Sequence, residues 1–528
     1  MKLPFILPAL FVGVVAFAQT SVTGYVFKDQ NQNGTKERRE KGLEGVAVSN
    51  GKEVVKTDKN GKYVLPVDGD NLIFVIKPTG YRTAIGEDQL PMFYYNYKPQ
   101  GSPTNFKYAG VAPTGALPKE VNFPLYEQKE SSDFTALVFG DPQPYNLKEM
   151  DYFTRGIVNE VKQNKKNAVF GISLGDLVGD DLTLHQPYIE TMKTIGLPWY
   201  NVMGNHDMNY EATDDKYADE TFEKNFGPAN YAFNYGGVHF IILDNILYPD
   251  PRDQKGYWGG LREEQLQFFE NNLKQLDPST PVVVSYHIQM HPEREGDAHF
   301  RLEDRQRIFD ALQPFETILM MSAHTHKQTQ IYYTKEDGWK GAKPLHELNM
   351  GTTSGDWYSG KVDSKGVPVS VMRDGTYRGY SFLNFKDGKY QVEYKVAGYS
   401  QDFQMKLHVP QAVTHRRSSA RFYVNFFTGG EGDLVEYRVD GSEWKPMAYT
   451  KSIDPSFMLS TFEWDQKAEL GEGRRPSNPE PSNHLWSAGV PGGLKEGTHK
   501  LEVRATDRYG KTFSTSATFE VQELQMIP

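Results

Sequence analysis

Four consecutive residues, Gly204-Asn205-His206-Asp207, bring an amide oxygen, an imidazole and a carboxylate to a single turn. They follow Pro198 to Met203, a short apolar run that reads as a buried strand. Glycine lets the chain turn sharply where such a strand ends. Four other stretches share this form. Phe134 to Gly140 runs into Asp141-Pro142-Gln143, and Ala168 to Leu174 into Gly175-Asp176 with Asp180 four residues later. Pro281 to Tyr286 ends at His287, and Thr317 to Ala323 ends at His324-Thr325-His326. A single Asp or His in such a place is a turn or a helix cap. Five in succession, each bearing oxygen or imidazole donors at a strand end where open α/β sheets build their sites, predict a centre for divalent metal ions. The chain has no cysteine, so its donors are nitrogen and oxygen, which suit Mn, Fe or Zn without choosing among them.

Seven of the thirteen histidines lie between His206 and His326. His239 falls inside an apolar strand and is expected in the core. His291 and His299 occupy a polar loop, as loop or substrate-facing residues. His287, His324 and His326 each end a strand and are read as ligands.

The ordered set resembles the calcineurin-like metallophosphoesterase superfamily, whose pattern runs Asp-x-His, Gly-Asp, Gly-Asn-His-Asp/Glu, His and Gly-His-x-His. The match covers roughly Phe134 to Phe385. Gln143 stands where the first motif has His, and Ala323 where the last has Gly. The resemblance implies an α/β fold, a two-sheet sandwich flanked by helices, holding two divalent ions. It makes Asp176 the bridging ligand, groups Asp141, Gln143 and His326 at one ion, and Asn205, His287 and His324 at the other. Such a pair, about 3.5–4 Å apart, clamps the attacking and leaving oxygens of an in-line displacement. The resemblance further implies a secreted phosphoesterase in which a hydroxide bridging the metals attacks a phosphomonoester or phosphodiester. His206 would protonate the leaving group, oriented by Asp180, with Asp181 as the competing choice.

At 528 residues the chain exceeds one ordinary core and implies several domains. A net charge of −10 argues against general binding to nucleic acid or anionic membrane, and Arg416-Arg417 with Arg421 is too small a basic cluster to support a nuclease or specific nucleic-acid binding. Residues 1–18 read as a signal peptide: Lys2, an apolar run, then Ala16-Phe17-Ala18. The absence of cysteine adds no disulfide framework, and together these predict a bacterial protein in the periplasm or outside the cell, with no transmembrane segment after cleavage. Residues 19–128 read as a small β-module. Within it, Asp29, Asn31, Asn33 and Glu40 fit the calcium-loop pattern D-x-[DN]-x-[DN]-G-x5-E; a cation loop and a bare polar hairpin both stand. Residues 129–396 form the predicted metallophosphoesterase domain, with helices over Leu147 to Lys165 and Arg262 to Leu276. Residues 397–528 lose the helical pattern and read as an all-β sandwich of immunoglobulin-like or related type, with a long loop over Glu463 to Gly493.

Substrate residues are sought beside the motifs. Tyr145 and Asn146 follow the first one, His291 follows His287, and Gly351 to Tyr358 presents hydroxyls with Trp357 and Tyr358. The expected substrate is a small phosphate ester, sugar-, glycerol- or nucleotide-linked. The rival reading is a catalytically weak or inactive protein of the same fold, whose β-modules dock cell-surface glycan or envelope components.

Overall fold

The alternation of apolar strands and amphipathic helices from Phe134 onward becomes two sheets in the computed structural model, which describes residues 20–294, 296–415, 418–470 and 473–523. The leader at 1–18 and Arg416-Arg417 lie outside the described residues. The first sheet runs β3-β2-β1-β10-β11, with β1 (Phe134–Phe139), β2 (Ala168–Ser173), β3 (Trp199–Asn201), β10 (Gly379–Lys386) and β11 (Lys389–Val396). The second runs β4-β5-β6-β7-β9-β8, with β4 (Tyr231–Tyr235), β5 (Val238–Ile242), β6 (Val282–Ser285), β7 (Ile318–Ser322), β8 (Thr329–Tyr333) and β9 (Leu345–Asn349). β1, β2 and β3 are parallel, as are β5, β6, β7 and β9. The metal-site candidates therefore all leave the carboxyl ends of parallel strands.

The sheets pack through aromatic side chains. Phe170 on β2 meets Phe233 and Phe240 of the second sheet at ring-centroid distances of 5.4 and 5.3 Å. Aromatics bury large areas and prefer such edge-on contacts, which fixes how the two sets of strand ends face each other. The helix expected from Leu147 is present, but it runs Leu147–Phe153, then a π-helical turn over Thr154–Val158, then Asn159–Asn164. The second expected helix is Glu263–Leu273. Tyr231–Tyr235 and Val238–Ile242 form a hairpin around Gly236-Gly237.

The preceding residues form two four-stranded sheets. Phe123–Glu127 pairs in parallel with Ser21–Lys28, so the Pro-, Gly- and Tyr-rich stretch from Tyr81 to Pro124 returns to its own module. The C-terminal region contains a four- and a five-stranded sheet. Two features there depart from the sequence reading. Pro455–Asp465 is an α-helix capped by Asp454, which accepts from Ser456 N and Phe457 N. Leu485–Gly489, inside the supposed loop, is a core strand that buries Trp486. Among the described residues, no helix is long and apolar enough to cross a membrane.

Candidate metal centre and active site

The five strand ends converge. Asp141, Gln143, Asp176, Asn205, His287 and His326 are each at most 3% exposed. His287 Nε2 lies 3.1 Å from Asn205 Oδ1, 3.2 Å from Asp176 Oδ1 and 3.3 Å from His324 Nδ1. On the other side of Asp176, Gln143 Nε2 donates to Asp176 Oδ2 at 3.1 Å, and His326 Nε2 lies 3.2 Å from Asp141 Oδ2.

The donor chemistry fits divalent cations. His287 Nδ1 donates to Leu174 O at 2.8 Å and His326 Nδ1 to Gly355 O at 2.6 Å. A ring nitrogen spent on a carbonyl fixes the tautomer and turns the other nitrogen's lone pair inward, as in metal-binding histidines. Those lone pairs face carboxylate and amide oxygens, an arrangement of acceptors that only positive charge reconciles. Asp141 Oδ2 and Gln143 Oε1 are buried without a hydrogen-bond partner, although such atoms are costly to leave unpaired. Burial works against charge on His287, yet Asp176 and Asp141 outweigh it and raise the imidazole to about 9. Asp176, whose ionisation burial opposes, is held well below the usual carboxylate range by His287, His206 and His324. The surroundings call for cationic charge here, from a proton or from a metal ion.

The backbone is bent to achieve this. Asp141, Gln143, Asp176, His324 and His326 all have positive φ, from 25° to 73°. For non-glycine residues this costs on the order of 1–3 kcal/mol each and gathers at functional sites. Gly204 is needed for close approach: a Cβ there would stand 1.9 Å from Asp176 N. Asp207 holds the two loops together from behind. Its carboxylate accepts from Gly204 N at 2.9 Å and from Leu177 N at 3.1 Å, and meets His185 Nε2 at 3.2 Å. Neither Asp207's clasp nor His185 was readable, since both rest on contacts between distant segments.

His206 sits at the mouth of the cluster. Its side chain is 22% exposed, and Nδ1 donates to Asp180 Oδ1 at 2.7 Å. Burial lowers its basicity, but Asp176 and then Asp180 prevail and raise it to about 9. Asp181, the competing choice, instead accepts from Thr183 N and Oγ1 as a helix cap. Tyr145 meets the His206 ring edge-on at 5.7 Å. Asn146 is spent as the cap of the helix from Leu147.

The other substrate candidates divide. Trp357 stacks on His326 at 4.1 Å. Tyr358 is corrected: it is 3% exposed and donates to Pro142 O at 2.5 Å, so it braces the Asp141 loop and cannot line a pocket. The hydroxyl-rich stretch does the same, with Thr353 N and Oγ1 donating to Gly140 O. His291 instead meets Tyr333 edge-on at 6.2 Å. His239 is a core residue, its ring nitrogens 2.8 Å from Asn234 Oδ1 and from Asn272 Nδ2. Two tyrosines went unnoticed in the sequence: Tyr257, edge-on to His324 at 6.0 Å, and Tyr210, which donates to Asn205 O and Asp180 Oδ1. Both lie in irregular loops without a motif.

The chain belongs to the calcineurin-like phosphoesterase family: the family's N-terminal model matches residues 30–111, its catalytic model 134–328 and its C-terminal model 347–513. A curated relative, the probable glycerophosphodiester phosphodiesterase GpdQ of Arcobacter nitrofigilis, is 26% identical over 169 residues. That stretch is 30% of this chain and 57% of the relative's length. Among solved structures, a dimetal phosphatase from Danio rerio is 12% identical over 49% of this chain and 95% of its own, with a TM-score of 0.33. The purple acid phosphatase PPD1 from yellow lupin (Lupinus luteus) seeds is 12% identical over 66% of each chain, with a TM-score of 0.37.

Proposed function

We propose that this protein is a secreted, metal-dependent hydrolase of small phosphate monoesters or diesters. The observation that carries the reading is the convergence of Asp141, Gln143, Asp176, Asn205, His287, His324 and His326, with two imidazoles locked by backbone carbonyls so that their lone pairs face inward. Two divalent ions held by these residues would supply Lewis acidity toward the phosphoryl oxygens and an acidified water. The chain's own groups do the rest. Asp176, buried between both sets of donors, is the carboxylate suited to link them. Asp180 keeps the His206 proton on Nδ1 engaged and leaves Nε2 facing the cluster, 4.0 Å from Asp176 Oδ2, where it can protonate a departing oxygen. Tyr145, Tyr257 and Trp357 rim the opening for the organic portion. The relative's name puts glycerophosphodiesters first among the diesters to be tried. Hydrolysis of a panel of monoesters, diesters and oligonucleotides by the metal-reconstituted protein tests this. Turnover of at least one small ester, abolished by chelation and by Asp176→Asn, is expected; metal loading without turnover of any ester favours the inactive, glycan-binding reading.

Export rests on the leader alone, and N-terminal sequencing of the exported protein should begin at Gln19. We also propose calcium for the N-terminal loop. Asp29 accepts from Gln32 N and Gly34 N, Asn31 from Asn33 N, Asn33 from Thr35 N, and Glu40 from Gln30 N and Glu37 N. Each of these oxygens keeps a second lone pair. Calcium should raise the melting temperature of the intact protein more than that of Asp29→Ala. Equal shifts would reject it.

A further inference from the structure

The C-terminal region reaches the rim of the candidate site. Gly360 N donates to Arg474 O at 2.9 Å, Ser477 N to Asp356 Oδ2 at 2.6 Å, and Glu480 N to Arg373 O at 2.8 Å. These bonds staple a segment beginning at Arg474 along the loop that carries Trp357. The Arg474 guanidinium lies over the Trp357 ring, 5.3 Å from its centroid, while the same indole stacks on His326.

Arg474 differs from its cationic neighbours. Arg475 is paired with Asp465, whereas Arg373 and Lys327 share Glu480. Arg474 is exposed, and no carboxylate pairs with it among the described residues. Burial disfavours the ionised forms of Tyr145 and Glu149, and the Arg474 charge works against it; Tyr145 in turn meets His206 edge-on. A guanidinium set on an aromatic face keeps its fork of donors directed outward and suits a planar or tetrahedral oxyanion.

We propose that Arg474 is a specificity-determining residue that binds a second anionic group, a carboxylate or a further phosphate, on the organic portion of the substrate, with Trp357 as its platform. The proposal rests on the phosphoester reading and adds to it a substrate class and a role for the C-terminal region. An arginine that merely covers the indole would not distinguish ligands by a distal charge.

The test uses two phosphonates that cannot be hydrolysed, 3-phosphonopropionate and propylphosphonate, titrated calorimetrically into the metal-loaded protein. They differ in one carboxylate. The wild type should bind 3-phosphonopropionate roughly tenfold tighter, the scale of a charged hydrogen bond. Arg474→Ala and Arg474→Gln should bring the ratio close to one, and Arg474→Lys should keep part of it. Equal binding of both ligands by the wild type, or a preference that survives Arg474→Ala, would overturn the proposal. Failure of both phosphonates to bind would instead overturn the phosphoester reading, and this proposal with it.

Discussion

His206 holds an exposed carboxylate where His287 and His326 hold backbone carbonyls, and the proposed division between a proton donor and ligands rests on this difference. A general acid matters when the leaving group is poor, because only then must a proton arrive in the transition state. His206→Ala should keep its metals and lose roughly 10²–10⁴-fold in kcat/KM on an alkyl phosphate, but far less on a nitrophenyl ester. Equal losses on both would assign His206 to phosphate positioning instead. At this scale the convergence of the seven proposed ligands was legible, because donor types recur at strand ends in a fixed order. The choice between Asp180 and Asp181 was not, since both are adjacent acids and only the fold shows that Asp181 is spent on Thr183. Tyr358 misled for a related reason: an aromatic beside a hydroxyl-rich turn reads the same whether it faces solvent or a neighbouring loop.

The elements carry the site by bonds between loops distant in sequence. Asp207→Ala would strip acceptors from the buried amides of Gly204 and Leu177 and leave His185 Nε2 without its partner, Nδ1 staying with Asn225. An expected loss of about 3 kcal/mol or more, measured by urea unfolding, follows from leaving such donors unsatisfied; a loss under about 1 kcal/mol would mean that the clasp is dispensable. His239 offers a pH test within the second sheet. Burial lowers its folded value to about 3, below the unfolded value of about 6.5. The stability this neutral imidazole contributes is therefore complete above pH 6.5 and is lost as pH falls from there toward 3. Relative to His239→Gln, the wild type should lose about 2 kcal/mol between pH 7 and pH 5; parallel stability profiles would contradict a neutral core histidine. The helices from Leu147 and Arg262 were visible as periodicity. The helix Pro455–Asp465 was overlooked although Asp454-Pro455-Ser456 is a fair capping signal, because the surrounding Pro- and Ser-rich composition suggested a loop.

At the scale of the whole molecule, both flanking regions are fastened to the catalytic sheets by buried charge. Lys98, in the Pro- and Tyr-rich part of the N-terminal module, lies 2.8 Å from Glu220 and 2.7 Å from Glu223 of the central region. At the other end, His484 Nε2 pairs with Asp374 at 3.0 Å, and Asn425 Nδ2 donates to Asp374 O. Composition and turn signals announced three regions. They could not announce these partners, because an ion pair across more than a hundred residues leaves no local pattern. The same limit hid Arg474, which a loop of the C-terminal region delivers to the rim. The proposed function depends on the metal centre, so the decisive measurement is the metal content of the reconstituted protein by mass spectrometry after removal of loosely bound ions. Two divalent ions per chain are predicted for the wild type, loss of both in Asp176→Asn, and preferential loss of one in Gln143→Ala. One ion or none in the wild type, or full occupancy in both variants, would contradict it.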